Sequence, residues 1–362
     1  MKRYHFPKEV FLSILEGHSI VDVPRLNISS IKQAHRFIKA YGYDLDVEPQ
    51  RAEAWLIYDQ AMDMLHSYIL EKNEVLPEVL LDRDKLEDLG HLCVFASTQD
   101  GNDLQKWSCR LLRLMHVIAH LENDPFHSFS EEIQAQVLGP IHDLLYTMDS
   151  GIVELGDDDC FEVIELEKFE VKQFKSTESA GLKLLAKRSE MALRLMDRIG
   201  IRFVTKNLFD SFRVLRFLVR EYVISVPNIV PDQAKNTLYP FNLFYDVMNE
   251  VDKSKTRLED AEIAQLMRQR LEEEQGQIRY KIKENEFSGV DYRVIKFIAR
   301  SRIHIKLGDK SFRFFFPYEI QIMDKDTFDR LQAGPSQHSQ YKSRQAQGAK
   351  DRVLGEFEVD VF

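Results

Sequence analysis

From Ser29 to about Met148, apolar residues recur at three- and four-residue intervals, the spacing of helices buried along one face. Ser29-Ser30 leads into a first periodic segment, which Gly42 stops after Tyr41. Trp55, Tyr58, Met62, Leu65 and Ile69 mark the buried stripe of a helix within 50–71, and another helix runs from about Leu104 to Leu121. Ser128-Phe129-Ser130-Glu131 has the spacing of a capping box, followed by a helix to about Met148 that Pro140 should bend or split. After Gly151 the period changes. Ile152–Leu155 and Phe161–Leu166 flank Asp157-Asp158-Asp159, which reads as a hairpin with an acidic turn. A helix from about Thr177 to Met196 leads to a short apolar strand, Ile199–Thr205, and Asn207 is placed to cap a helix over Leu208–Tyr222. Residues 254–283 are highly charged and suit a solvent-exposed helix. Strands return at Tyr292–Ile305 and Ser311–Ile322. The segment 332–350 reads as loop-like or mobile, and the alternation of Phe357–Val361 suits a sheet edge.

This grammar predicts an α+β protein: an all-helical domain over 1–150, then a mixed sheet flanked by helices over 151–362. At 362 residues the chain has room for two domains, and 44% hydrophobic residues supply ample core. The formal charge of −10 argues against a surface coated in basic residues for nonspecific nucleic-acid binding, so nucleic acid is not an indicated partner. Cys93, Cys109 and Cys160 are odd in number and lack the paired spacing of a zinc site, which suits reduced thiols in a cytoplasm. No apolar run long enough for a signal peptide or a membrane span is present, so a soluble cytoplasmic protein without a membrane partner is expected.

The alternation along the last long strand raises the first chemical question. Phe314, Phe316, Tyr318, Ile320 and Ile322 point one way; Phe315, Glu319 and Gln321 point the other. A carboxylate and an amide on so apolar a strand must meet solvent, a partner or a ligand, and an edge strand with one wet face is the plain alternative. Upstream, Asp197-Arg198-Ile199-Gly200-Ile201-Arg202 sets an acid at a helix–strand junction, a glycine that permits close backbone approach, and an arginine on the strand. Asp197 and Glu319 are candidate Mg²⁺ ligands, since that hard cation takes oxygen donors and shares them with substrate phosphates. A capping aspartate and a surface arginine explain the same six residues equally well. Lys175, Ser179 and Lys183 share one helix face, and Lys187 extends the row; they suit either a phosphate grip or a solvated helix face. Tyr292 and Lys296 share a strand face, where the tyrosine can stack on a base or simply pack.

In this order, Lys175-x-x-x-Ser179-x-x-x-Lys183, Asp197-x-x-Gly200-x-Arg202, Tyr292-x-x-x-Lys296 and Glu319-Ile-Gln321-Ile resemble the RelA/SpoT nucleotidyltransferase domain. His338-Ser339-Gln340-Tyr341-Lys342 is similar to the His-x-x-Tyr-Lys that follows the glutamate motif there, and the resemblance spans roughly 160–345. It implies transfer of pyrophosphate from ATP to a ribose 3′-hydroxyl, the making of guanosine tetra- and pentaphosphate alarmones in the stringent response. By that resemblance Asp197 is the main Mg²⁺ ligand, and Glu319 assists the metal or activates the attacking hydroxyl. Lys175 and Lys183 contact ATP phosphates, Ser179 is a nearby polar contact, and Tyr292 stacks on an acceptor guanine. Arg202, Lys296 and Gln321 complete the nucleotide-binding set.

The chain departs from that pattern at several places. Gln173 stands where an arginine is expected, Asp291 replaces a glycine, Lys296 a histidine, and Met323-Asp324 an Arg-Thr. A charged insertion over about 232–288 replaces a compact basic loop. These departures leave two other readings open: a degenerate nucleotide or alarmone sensor, and a transferase acting on RNA or another nucleotide. In the helical half, His116-x-x-x-His120 and His142-Asp143 touch the pattern of a His-Asp phosphohydrolase. That pattern needs a further aspartate downstream within the helical domain, and none is placed for it.

Overall fold

The computed structural model describes residues 19–22, 26–71, 73–98, 101–172, 177–186, 196–254, 258–274, 293–333 and 338–355. The chain is α+β and divides into two compact units, each assembled from separated stretches. One unit takes 1–127, 176–194 and 343–362; the other takes 128–175 and 195–342. The sequence pattern places the division at 150, and the interleaving has local causes. The helix Ser130–His142 lies with the sheet, because Gln136 bonds the backbone N–H and carbonyl of His304 at 3.0 and 2.9 Å. The helix Thr177–Ala186 packs instead in the helical unit, where a Cβ on Gly181 would meet Met64 at 3.2 Å.

The helical unit is built on Ile31–Tyr41, Glu48–Met64, Gly90–Phe95 and Asp103–Glu122. Ser30 caps the first by accepting from the Gln33 N–H, and Gly42, at φ 135, ends it as its freedom from a Cβ allows. Along Glu48–Met64 the deepest residues are Ala54, Ile57, Tyr58, Ala61 and Met64, while Trp55 and Met62 are half-buried. Periodicity finds this helix but rotates its stripe, since it weighs large residues above the alanines that face the tightest packing. Of the segment 332–350, expected as a loop, residues 332–333 and 338–350 belong to the helices Lys325–Ala333 and His338–Leu354, and 334–337 lie outside the described residues. Its buried stripe is Gln345, Ala349, Arg352 and Val353, at helical spacing but half of it polar, so a hydrophobic count does not see it. Arg352 bonds both carboxylate oxygens of Asp22 at 2.7 and 3.0 Å, and the carbonyls of Leu184 and Leu185 at 3.2 and 3.1 Å.

Among the described residues the other unit holds seven strands: β1 (Leu145–Thr147), β2 (Val153–Leu155), β3 (Ile164–Lys172), β4 (Gly200–Thr205), β5 (Val230–Asn236), β6 (Ile295–Leu307) and β7 (Lys310–Asp324). They form one sheet in the order β1-β2-β3-β4-β7-β6-β5, antiparallel throughout except for the parallel pair β4–β7. The expected acidic-turn hairpin is β2–β3, with Val153 opposite Leu166. Leu145–Thr147, expected as the end of a helix, is a strand paired with Val153–Leu155. Pro140 sits two residues before that helix stops, and the chain then reverses into the sheet. The expected capping box does not form. Ser128 closes a one-turn helix of its own, Pro125–Ser128, and the next helix begins at Ser130 without a side-chain cap.

β7 is a central strand, not an edge, since β4 and β6 flank it. Phe316, Tyr318, Ile320 and Ile322 are buried on one face, where Ile201 and Phe203 of β4 and Phe297 and Ile295 of β6 stand opposite Ile320 and Ile322. Asn207 caps the following helix, Leu208–Arg220, by accepting from the Asp210 N–H, and Val214, Phe217 and Leu218 of that helix are fully buried. The expected charged insertion contains β5 and the helices Phe241–Lys253 and Asp260–Glu273. Residues 187–195, 275–292 and 356–362, which cover parts of the expected elements, lie outside the described residues.

One titration is set by this packing. Burial, helped by His120, pushes the His116 ring down to about 4, and its Nδ1 lies 2.9 Å from the Tyr41 hydroxyl. An unfolded histidine titrates near 6.5, so between these values the unfolded chain binds a proton that the folded chain refuses. The stability this neutral ring contributes is whole above about pH 6.5 and is lost as pH falls towards 4. His116→Gln is expected to remove ~2 kcal/mol of that loss. Urea midpoints measured from pH 4 to 7 check it, wild type falling more steeply than the variant.

Candidate functional site

Every pairing of the central strands places one polar residue at the same level of the sheet. Glu170 of β3 stands opposite Arg202 of β4, Arg202 opposite Gln321 of β7, Gln321 opposite Lys296 of β6, and Lys296 opposite Lys235 of β5. Directly opposed residues project from one face. The five side chains therefore form a ladder across the face opposite the Ile320–Ile322 core. At one end that face is closed by Phe328 and Leu331, which pack on Val204, Met323 and Val294.

The ladder is joined by hydrogen bonds and ion pairs. Arg202 donates from Nε and Nη2 to the side-chain amide oxygen Oε1 of Gln321 at 3.0 and 2.9 Å, and from Nη1 to Glu170 Oε2 at 3.0 Å. Gln321 turns its amide to Oε1 of Glu319, one level along β7. The Lys296 ammonium pairs with Oε2 of Glu319. Glu319 is 4% exposed and Gln321 5% exposed. The expectation that these polar groups must find a partner holds, and the partners are protein side chains rather than open solvent. Burial pushes Glu170 up, but Lys168, bonded at 2.8 Å, and the Arg202 charge outweigh it and hold its carboxyl below the usual range.

Gly200 brings the Asp197 segment to Glu319. It stands opposite Glu319 in the β4–β7 pair, and the Glu319 N–H donates to the Ile199 carbonyl at 2.9 Å. A Cβ on Gly200 would meet Lys172 Cβ at 3.4 Å, an ordinary van der Waals distance. Asp197 is half-buried just before β4. Among the described residues, no group of three or more histidine, cysteine, aspartate or glutamate side chains is placed to hold a metal ion. Ser179 and Lys183 are half-buried on Thr177–Ala186, which belongs to the helical unit. Lys175 and Tyr292 lie outside the described residues, as do Gln173, Asp291 and the side chains of His338 and Tyr341. Arg202, Lys296, Glu319 and Gln321 are thus brought together by direct contact.

Two members of the ladder were not found in the sequence. Glu170 sits in Lys168-Phe169-Glu170-Val171-Lys172, whose strict alternation is the available signal. Lys235 is hidden because β5 reads Val-Pro-Asp-Gln-Ala-Lys-Asn, and a proline with flanking polar residues is the usual mark of a loop. In the helical unit, the rings of His116 and His120 meet edge to face at 4.6 Å. His142 belongs to the other unit and packs on Phe169 at 6.1 Å.

No family model and no curated protein matches this chain. Among solved structures it is similar at a distance to the small alarmone synthetase 2 from Bacillus subtilis, with 15% identity, 52% of this chain and 74% of that chain covered, and a TM-score of 0.27.

Proposed function

We propose that this chain is an ATP-dependent nucleotide pyrophosphokinase, or a closely related nucleotidyltransferase, of the RelA/SpoT alarmone-synthetase kind. The observation that supports it is the ladder. Three of the motifs that carry the resemblance contribute Arg202, Lys296, Glu319 and Gln321 to one contiguous line, although Arg202 and Gln321 are 119 residues apart in sequence. Motif residues that only fitted a pattern by chance have no reason to converge on one face.

In this reading the acceptor hydroxyl oxygen attacks the β-phosphorus of ATP in line. A bond from that oxygen to the β-phosphorus forms while the bond to the oxygen bridging the α-phosphate breaks, its electron pair leaving on AMP. Glu319 takes the hydroxyl proton on Oε2, the oxygen that the Lys296 ammonium faces. Gln321 fixes the carboxylate plane through Oε1, and Arg202 fixes Gln321. Lys296 supplies positive charge where charge develops, and positioning of this kind accounts for most of the rate in phosphoryl transfer. The carboxylates of Asp197 and Glu319 supply oxygen donors of the kind Mg²⁺ requires. When bound with the triphosphate, Mg²⁺ would neutralise phosphate charge. A second reading, a nucleotide-binding sensor without turnover, is favoured by the Lys296–Glu319 ion pair, which already neutralises the carboxylate.

Purified protein with labelled ATP, Mg²⁺ and a panel of nucleotide acceptors should release AMP in step with a pyrophosphorylated product. Glu319→Gln and Asp197→Ala should each lower that rate by about three orders of magnitude, the scale of losing a group that acts on transition-state charge. AMP release unchanged in both variants would defeat the assignment, and tight nucleotide binding without any AMP would decide for the sensor.

Lys296→Ala separates two roles for its ammonium. Contact with an acceptor phosphate predicts an acceptor KM raised about tenfold with a smaller fall in kcat. Acceptor kinetics indistinguishable from wild type would leave Lys296 as the structural partner of Glu319 alone.

A further inference from the structure

The helical unit holds a cavity of about 300 Å³ that no motif in the sequence predicts. It lies among the helices Ile31–Tyr41, Glu48–Met64, Gly90–Phe95 and Asp103–Glu122, and the space between packed helices is a usual place for a small-molecule site. Cys109, Leu112, His116 and Ala119 line it at intervals of three and four residues, one stripe of a helix that runs ~15 Å along the wall. Phe37 and Tyr41, one turn apart on Ile31–Tyr41, also line it and are 43% and 42% exposed, so they mark its mouth.

The lining is apolar almost throughout, and its titratable groups are held uncharged. Burial pushes the thiols of Cys93 and Cys109 up, Cys93 to about 12, and it holds the His116 ring neutral. Arg113 is the one permanent cation among the described lining residues, and its Nη1 donates to the Val353 carbonyl at 2.9 Å. Apolar cavities of this kind stay dry and take up apolar guests, because their walls lack contact partners. One polar end is on offer. The Tyr41 hydroxyl lies 2.9 Å from His116 Nδ1 and 3.5 Å from the His116 carbonyl, so its hydrogen goes to Nδ1, the nearer acceptor. A neutral imidazole has one donor nitrogen. The ring hydrogen therefore sits on Nε2, which makes no hydrogen bond among the described residues.

We propose that this cavity binds an uncharged, apolar small molecule carrying one hydroxyl or carbonyl oxygen, with its chain along Asp103–Glu122 and its oxygen at His116. The site belongs to the helical unit and does not depend on the transferase reading. An ammonium head would meet no carboxylate among the described lining residues, and a carboxylate head would compete with the Val353 carbonyl for Arg113. The plain alternative is an unfilled packing defect.

Thermal denaturation and calorimetric titration of the full chain with 1-octanol, octanoate and octylamine test the site. 1-Octanol should bind once per chain and raise the melting temperature, since a ligand of the folded state stabilises it. The two charged probes should bind at least about tenfold more weakly, because each must lose the hydration of its head group. His116→Phe should weaken 1-octanol about fivefold, the scale of one neutral hydrogen bond. Leu112→Trp fills the cavity from a half-buried position and should abolish the binding; Met115→Trp, also half-buried in the lining, serves if that variant fails to fold. No saturable binding of 1-octanol to wild type overturns the site, as does unchanged affinity in a folded filling variant. Octanoate or octylamine binding as tightly as 1-octanol overturns the choice of an uncharged ligand, and unchanged affinity in His116→Phe overturns the placement of its oxygen.

Discussion

The constraint on which the sheet unit depends is the burial of a carboxylate and an amide in its middle strand. Taking Glu319 and Gln321 out of water is costly unless each polar atom is matched. The match is made laterally, by Arg202 from β4 and Lys296 from β6. Those two strands are also the ones that cover the edges of β7. Strand order and charge pairing are therefore one arrangement. Removing one partner of such a buried pair typically costs about 3–5 kcal/mol, although the partly exposed Lys296 lies at the low end of that range.

How much of this can be read from sequence depends on range. Signals that act within a few residues are legible: Ser30 and Gly42 bound their helix, Asn207 caps its own, and the acidic turn joins β2 to β3. Alternation along β7 also separates its faces correctly. What alternation does not reveal is the neighbours of a strand, so a polar face on a central strand looks like a polar face on an edge. The last long helix is missed for a related reason. Its buried side uses Gln345 and Arg352, and hydropathy cannot distinguish a buried arginine with four acceptor bonds from a solvated one.

The candidate site divides in the same way. Arg202, Glu319 and Gln321 are visible because the order of motifs preserves them, Lys296 because it stands at a motif position where a histidine is expected, and the fold then joins all four through side-chain contacts. Glu170 and Lys235 belong to no motif; only strand register brings them into line. Bulk charge was uninformative here. A chain of net charge −10 places three cations, Arg202, Lys235 and Lys296, and one carboxylate, Glu170, on a single line across its sheet, where a mean over the whole chain cannot show them.

The interleaving of the units has a consequence in time. Arg352 grips Asp22 across 330 residues of chain, so the helical unit cannot close as soon as its first stretch leaves the ribosome. At roughly 5–20 residues per second, Asp22 waits roughly 15–65 s for its partner to be made. During that interval the sheet unit is synthesised between two parts of an unfinished neighbour. A stop codon shortly before the helix His338–Leu354 would remove Arg352 and the four bonds it makes to Asp22, Leu184 and Leu185, more than the few residues lost suggest.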